Sequence, residues 1–172
     1  MSDTFLPGSG FDTYEQQDKV LVGFGGGLGA RVAVRILQQQ GFAVAGAVVR
    51  LSPEEEAAVQ AAKQAAEALG IECATLNAEA LAAQGAATED ARLSALLAAA
   101  DKLGIQYIAT GHFARVETGA DGVSHLYPPE DPAQDESDAL AALPQEILSR
   151  LILPLGAFSP ADVQEMAQEL NV

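Results

Sequence analysis

The chain predicts an α/β domain built on a doubly wound, mostly parallel sheet of about five strands with helices on both faces. Short apolar runs alternate along it with longer alanine- and leucine-rich segments of helical periodicity, the rhythm of a parallel sheet with crossover helices. A glycine-rich turn joins the first apolar run to the first of these segments. The composition, 49% hydrophobic but only 5% aromatic with no Trp, calls for a core of Ala, Leu, Val and Ile, which suits helices packed on a sheet.

Residues 1–18 mix Ser, Asp, Gly, Pro and Gln without periodicity and are expected to form a loose or partner-dependent arm, with a single domain over residues 19–172. Val20 to Phe24 is the first expected strand. Gly25 to Gly29 turns the chain, and Ala30, Ala33, Val34 and Leu37 then recur at helical spacing up to Gly41. Ala43 to Val49 is the second strand. Ser52-Pro53-Glu54-Glu55 reads as a capping box opening a helix with the stripe Ala58, Ala61, Ala62, Ala65 and Leu69, stopped by Gly70. Glu72 to Leu76 is the third strand. Thr88-Glu89-Asp90 opens a helix striped by Leu93, Leu96, Leu97 and Ala100, and Gln106 to Thr110 is the fourth strand. Gly119 to Gln134 reads as a loop, followed by a helix from about Asp135, a fifth strand within Leu148 to Leu153, and a last helix opened by Ser159-Pro160-Ala161-Asp162.

Charge narrows the function. Asp and Glu total 24 against 9 Lys and Arg, for a net charge of −15. Such a field disfavours nucleic acid, whose binding needs cations to displace phosphate counterions, and Arg31, Arg35, Arg50 and Arg115 are the main cations on offer. The single cysteine, Cys73, lies in an apolar-flanked strand and reads as a small core residue. The first residues carry no basic-then-apolar leader and no run reaches membrane-spanning length, so the expected setting is cytoplasmic with no membrane partner.

A glycine turn between strand and helix is an anion site in waiting, because backbone N–H groups and the helix N-terminus face an approaching phosphate. Gly23-Phe24-Gly25-Gly26-Gly27 lacks the Lys-Ser/Thr of a P-loop and the spacing of a dinucleotide fingerprint, so a plain tight turn is the alternative reading. His112 follows a strand end where ligands gather in open α/β sheets, which makes a site-lining role and a hydrogen-bonded structural role alternatives. Neither His112 nor His125 has a second His or Cys at ligand spacing, and no metal site is expected.

Three segments together are more specific. Val22-Gly23-Phe24-Gly25-Gly26-Gly27-Leu28-Gly29-Ala30 resembles the pyrophosphate loop G-x-S-G-G-V-D-S of the tRNA-specific 2-thiouridylase family. Ile108-Ala109-Thr110-Gly111-His112-Phe113-Ala114-Arg115 is similar to its A-T-G-H-Y-A-R, and Leu153-Pro154-Leu155-Gly156 to its F-P-L-G. Order and spacing match from Lys19 to Val172. The resemblance implies an adenine nucleotide alpha hydrolase-like, Rossmann-like fold, in a family that adenylates a tRNA uridine with Mg-dependent ATP and delivers sulfur from a cysteine persulfide. It implies a nucleotide, ATP or AMP, at Gly23, Phe24, Gly25, Gly26, Gly27, Leu28, Gly29 and Ala30, with Val49 flanking the base and Gly111 and His112 beside it. On this resemblance the family's central and C-terminal domains are expected to be absent, and its persulfide Cys would lie beyond Val172.

Departures from the pattern point to lost chemistry. The loop's first Ser is Gly25, its Asp is Gly29 and its last Ser is Ala30, which removes the hydroxyls and carboxylate that would organise phosphate and Mg²⁺. Ala78 to Thr88 carries no counterpart of the family's nucleophilic Cys, and the Lys and Gln of its K-D-Q-S stretch are Gln134 and Glu136. Arg31, at the helix start, offers a cation to an anion or is a solvated surface residue. The expectation is therefore a degenerate, catalytically inactive domain that keeps a nucleotide or anion at the glycine turn. Its alternatives are an active ATP-dependent thiolating or adenylating enzyme completed by a partner chain, and a structural or interaction protein, partnered or homo-oligomeric, with no ligand.

Overall fold

The computed structural model describes residues 18–24, 27–83, 88–131, 135–141 and 143–172. The loose arm expected for residues 1–18 lies, Asp18 apart, outside the described residues, as do Gly25 and Gly26 of the glycine turn.

The elements run β1 (Lys19–Gly23), α1 (Leu28–Gln39), β2 (Ala43–Arg50), a 3-10 turn (Pro53–Glu55) leading into α2 (Glu56–Leu69), β3 (Cys73–Asn77), α3 (Glu79–Ala83), α4 (Thr88–Leu103), β4 (Tyr107–Ala109), β5 (Arg115–Thr118), β6 (Ser124–Tyr127), a 3-10 turn (Ser137–Leu140), α5 (Gln145–Leu148), β7 (Leu151–Ile152) and α6 (Pro160–Leu170). Five strands form one sheet in the order β3-β2-β1-β4-β7, all neighbours parallel. The expected α/β fold class is what the chain adopts.

Alternation along the strands sorts the core into two layers. On β1, Val20 and Val22 face a cluster with Val34 and Leu37 of α1 and Val59, Ala62 and Ala66 of α2. Leu21, one residue out of step, faces Leu93, Leu96 and Ala100 of α4 on the other side. A strand buried on both faces reads as a continuous apolar run, which is why Val20-Leu21-Val22 shows no polar alternation. A third cluster, Val32, Leu155, Val163 and Ala167, packs α6 on the outer side of α1.

Several local expectations are corrected. The buried stripe of α2 is Val59, Ala62, Ala66 and Leu69, whereas Ala58 and Ala61 are exposed; in an alanine-rich helix most positions read as apolar, so the pattern points weakly. Ser52 makes no side-chain cap. Glu55 does reach back, but to the Leu51 N–H at 2.6 Å. The stretch 119–134, expected to be a loop, contains β6, which pairs antiparallel with β5 around a turn where Gly122 has φ +79°. Its register is held from outside: the Gln145 side chain accepts from the Ser124 N–H and donates to the Ser124 carbonyl. The helix expected from Asp135 is a 3-10 turn, entered where the Asp135 carboxylate accepts from the Ser137 N–H and hydroxyl, and Pro144 precedes the four-residue α5. At the C-terminal end the expected helix opens at Ser159, and its start is a capping box: Ser159 Oγ accepts from the Asp162 N–H and Asp162 Oδ2 from the Ser159 N–H, both at 3.1 Å.

Candidate functional site

In the order β3-β2-β1-β4-β7, the chain winds outward one way from β1 through β2 to β3 and the other way from β4 to β7, so the topological switch lies between β1 and β4. Crevices that accept ligands in open α/β sheets form at this point, beyond the strand C-termini. A cleft of about 510 Å³ lies there, lined by Gly23 at the end of β1 and Phe24 after it, Gly29 and Ala30 of α1, Val48 and Val49 of β2, and Thr110, Gly111 and His112 after β4.

Of the sequence-derived positions, the cleft thus gathers Gly23, Phe24, Gly29, Ala30, Val49, Gly111 and His112. Gly27 is the N-cap of α1 in extended conformation with no side-chain cap, and Leu28 opens the helix. Gly25 and Gly26 lie outside the described residues. The crossing is tight: a Cβ on Gly111 would stand 3.0 Å from the Ala30 nitrogen and the Gly29 carbonyl carbon. Glycine at 111 lets the chain leaving β4 lie directly on the first turn of α1. Beside it, Thr110 Oγ1 and His112 Nδ1 are 2.7 Å apart in a hydrogen bond that fixes the ring at the cleft wall.

Leu153-Pro154-Leu155-Gly156 is explained by the same geometry. Leu155 is fully buried and its Cδ1 is 3.3 Å from where a Gly29 Cβ would be, while Gly156 presses on the backbone of Ala114 and the side chain of Arg115. The segment therefore clamps the strand-exit residues against α1 from behind.

Three charged side chains that line the cleft, Arg92, Glu136 and Glu55, were not among the sequence-derived site residues. Arg92, from α4, donates from Nη1 to the Val49 carbonyl at 2.7 Å and from Nη2 to Glu55 Oε2 at 2.9 Å. Glu136 accepts from the Phe113 N–H at 2.8 Å. Hydrogen bonding from the Leu51 N–H, aided by the Arg92 guanidinium, holds the Glu55 carboxyl below its ordinary value of 4.5. The one local signal was an arginine beside the buried stripe Leu93 and Leu96 in an alanine-rich helix; its partners are 43 and 37 residues away.

The described part of the turn offers backbone groups and few free side-chain oxygens. Backbone N–H groups and apolar walls remain, but Gly29 and Ala30 offer no side-chain oxygen, and the Glu55 and Glu136 carboxylates are already engaged. Among the described residues no three His, Cys, Asp or Glu side chains converge. Arg31 turns back to its own helix, Nε to the Gly27 carbonyl at 3.4 Å, and does not line the cleft. Cys73 is half-buried on the outer strand β3, where burial pushes its thiol up from 9.0. No helix among the described residues is long and apolar enough to cross a membrane.

The profile of the tRNA methyl transferase HUP domain family matches residues 87–172, half of the chain. The chain belongs to this family. Its relatives within it are of the MnmA type: the tRNA-specific 2-thiouridylase MnmA of Treponema denticola is 33% identical over 90% of this chain and 50% of its own length. That of Carboxydothermus hydrogenoformans is 31% identical over 90% of this chain and 51% of its own length. The chain thus spans about half the length of these curated relatives. In fold it is similar to the NH3-dependent NAD synthetase of Campylobacter jejuni, with a TM-score of 0.55 at 11% identity, covering 94% of this chain and 69% of that one.

Proposed function

We propose that this chain is a degenerate MnmA-like domain that holds a nucleotide, ATP or AMP, or its phosphates alone, in the cleft between the glycine turn and Gly111 and does not turn it over. The observation that carries this reading is the contact of Gly111 with Gly29 and Ala30 at the switch point: the cleft is kept, while the side chains that would drive phosphoryl chemistry are not. Backbone donors at a helix N-terminus suffice to bind an anion. Stabilising the charge that develops on a transferring phosphorus asks for metal or side-chain donors aimed at it, and loss of one such donor can cost about 100-fold in rate.

The charge pattern supports a chain that does not hold tRNA by itself. Of its cations, Arg50 is paired with Glu56 and Glu79 at 2.8 Å each, Arg115 with Glu117 at 3.0 Å, and Arg35 with Gln38 and the Leu69 carbonyl. Cations already paired with carboxylates, as Arg50 and Arg115 are, release few counterions on meeting a polyanion.

Calorimetric titration with ATP, AMP and pyrophosphate, each with and without Mg²⁺, tests the reading. The expected result is binding that Mg²⁺ does not strengthen. Absence of binding by all three ligands would overturn it in favour of a structural or interaction role, and strong Mg²⁺ dependence would favour an active nucleotide site.

A further inference from the structure

We infer that Arg92 reads the base end of the bound nucleotide and is the residue of this cleft that distinguishes a nucleotide from its phosphates alone; the inference rests on the nucleotide reading above. Consecutive peptide groups of a strand face alternate neighbours. Ala47 presents its carbonyl to the β1 side, where it accepts from the Phe24 N–H at 2.8 Å, and Arg50 presents its carbonyl to the β3 side, where it accepts from the Ala78 N–H at 2.8 Å. Val49, two residues after Ala47, therefore faces the β1 side at a level where β1 has already ended at Gly23. Its carbonyl opens into the crevice, and Arg92 takes it at 2.7 Å.

The guanidinium is thereby fixed at the β2 side of the cleft, across from Gly29 and Gly111. Val49 and Glu55 each hold one of its N–H groups, and a guanidinium has five. It cannot swing away without breaking two bonds, and its stem is flanked on α4 by the buried Leu93 and Leu96. Phe24, Val48 and Val59 supply apolar lining to the same cleft. Flat apolar walls with a preorganised donor at their edge are what a heteroaromatic ring with nitrogen or oxygen acceptors requires. The phosphates belong at the other side, on the N-terminus of α1.

Binding of AMP and of pyrophosphate by the unmodified chain, Arg92→Met and Arg92→Lys separates the two ends. Arg92→Met keeps an unbranched apolar stem and removes every donor. The expected result is about a tenfold loss of AMP affinity, the scale of one charged hydrogen bond, with pyrophosphate affinity changed less than about twofold and with Arg92→Lys between the two. Retained pyrophosphate binding also shows that the cleft of the variant is folded. Equal losses for both ligands, or none for AMP, overturn the role of Arg92 and leave the nucleotide reading standing. Failure of the unmodified chain to bind AMP and pyrophosphate overturns the role of Arg92, and failure with ATP as well overturns the nucleotide reading.

Discussion

Gly111 rests on Gly29 with no room for a side chain between them: a Cβ on Gly111 would stand 3.2 Å from the Gly29 carbonyl oxygen and 3.0 Å from its carbon. The same contact joins the strand-exit segment of β4 to the turn that follows β1, and so sets the width of the cleft. Gly111→Ala forces backbone to move against backbone, and a loss of about 1–3 kcal/mol is expected, together with weakened ligand binding. Gly27→Ala is the contrasting substitution, since among the described residues nothing lies within 4 Å of its Cβ position; it should lose only the N-cap preference for Gly over Ala, about 1 kcal/mol or less. Urea midpoints of the two variants measure the difference.

Gly156 is the more demanding position. A Cβ there would run into the Ala114 carbonyl oxygen and come within 2.6 Å of Arg115 Cγ. The Gly156 carbonyl also accepts from the Glu130 N–H, which ties the hairpin exit to the segment before α6. Gly156→Ala is expected to cost about 3 kcal/mol or more, exceeding Gly111→Ala in the same denaturation series. Equal or smaller destabilisation would show that the segment shifts freely and does not clamp α1.

Glu55 makes stability depend on acid. Its carboxyl is held low by the Leu51 N–H first and by Arg92 after that, so the folded state binds its proton more weakly than the unfolded chain does. The contribution is present above the ordinary value of 4.5 and is lost as pH falls through the lower folded value. Glu55→Gln should therefore bring the melting temperature of the variant toward that of the unmodified chain as the pH drops below about 4. Thermal melts from neutral to acid pH read this directly, and a gap that stays constant would rule out the linkage.

Chemistry should be absent from the chain as it stands. ATP–pyrophosphate exchange and sulfur incorporation into bulk tRNA are expected to stay at background, and tRNA binding to be weak at physiological salt, where counterion release dominates affinity. The informative companion is a variant carrying Gly25→Ser, Gly29→Asp and Ala30→Ser. A Cβ at position 29 stands 3.3 Å from Leu155 Cδ1 and 3.4 Å from the Gly111 carbonyl oxygen, close but without overlap. Gain of Mg²⁺-dependent ATP binding in this variant supports a disabled site, and robust exchange by the unmodified chain refutes it.

The sequence by itself determined the run of the five sheet strands and their main crossover helices, the parallel sheet and the family, because these rest on short-range signals. Apolar runs the length of a strand, Gly70 closing α2 with φ +77° and the Ser159 box opening α6 are each written within a few consecutive residues. The departures of the glycine turn at Gly29 and Ala30 were legible for the same reason. Only the tertiary structure decided what lies opposite that turn. Arg92 meets Val49 and Glu55 across separations of 43 and 37 residues, and Ser124 is paired by Gln145 across 21. Such contacts depend on where the sheet brings chain segments together, and polar side chains on an alanine-rich helix or in a glycine- and acid-rich stretch carry no periodicity that announces their partners. Gly156 belongs to both accounts: its motif was readable in the chain, while the reason for it, the backbone of Ala114 filling the space of a side chain, exists only in the folded packing.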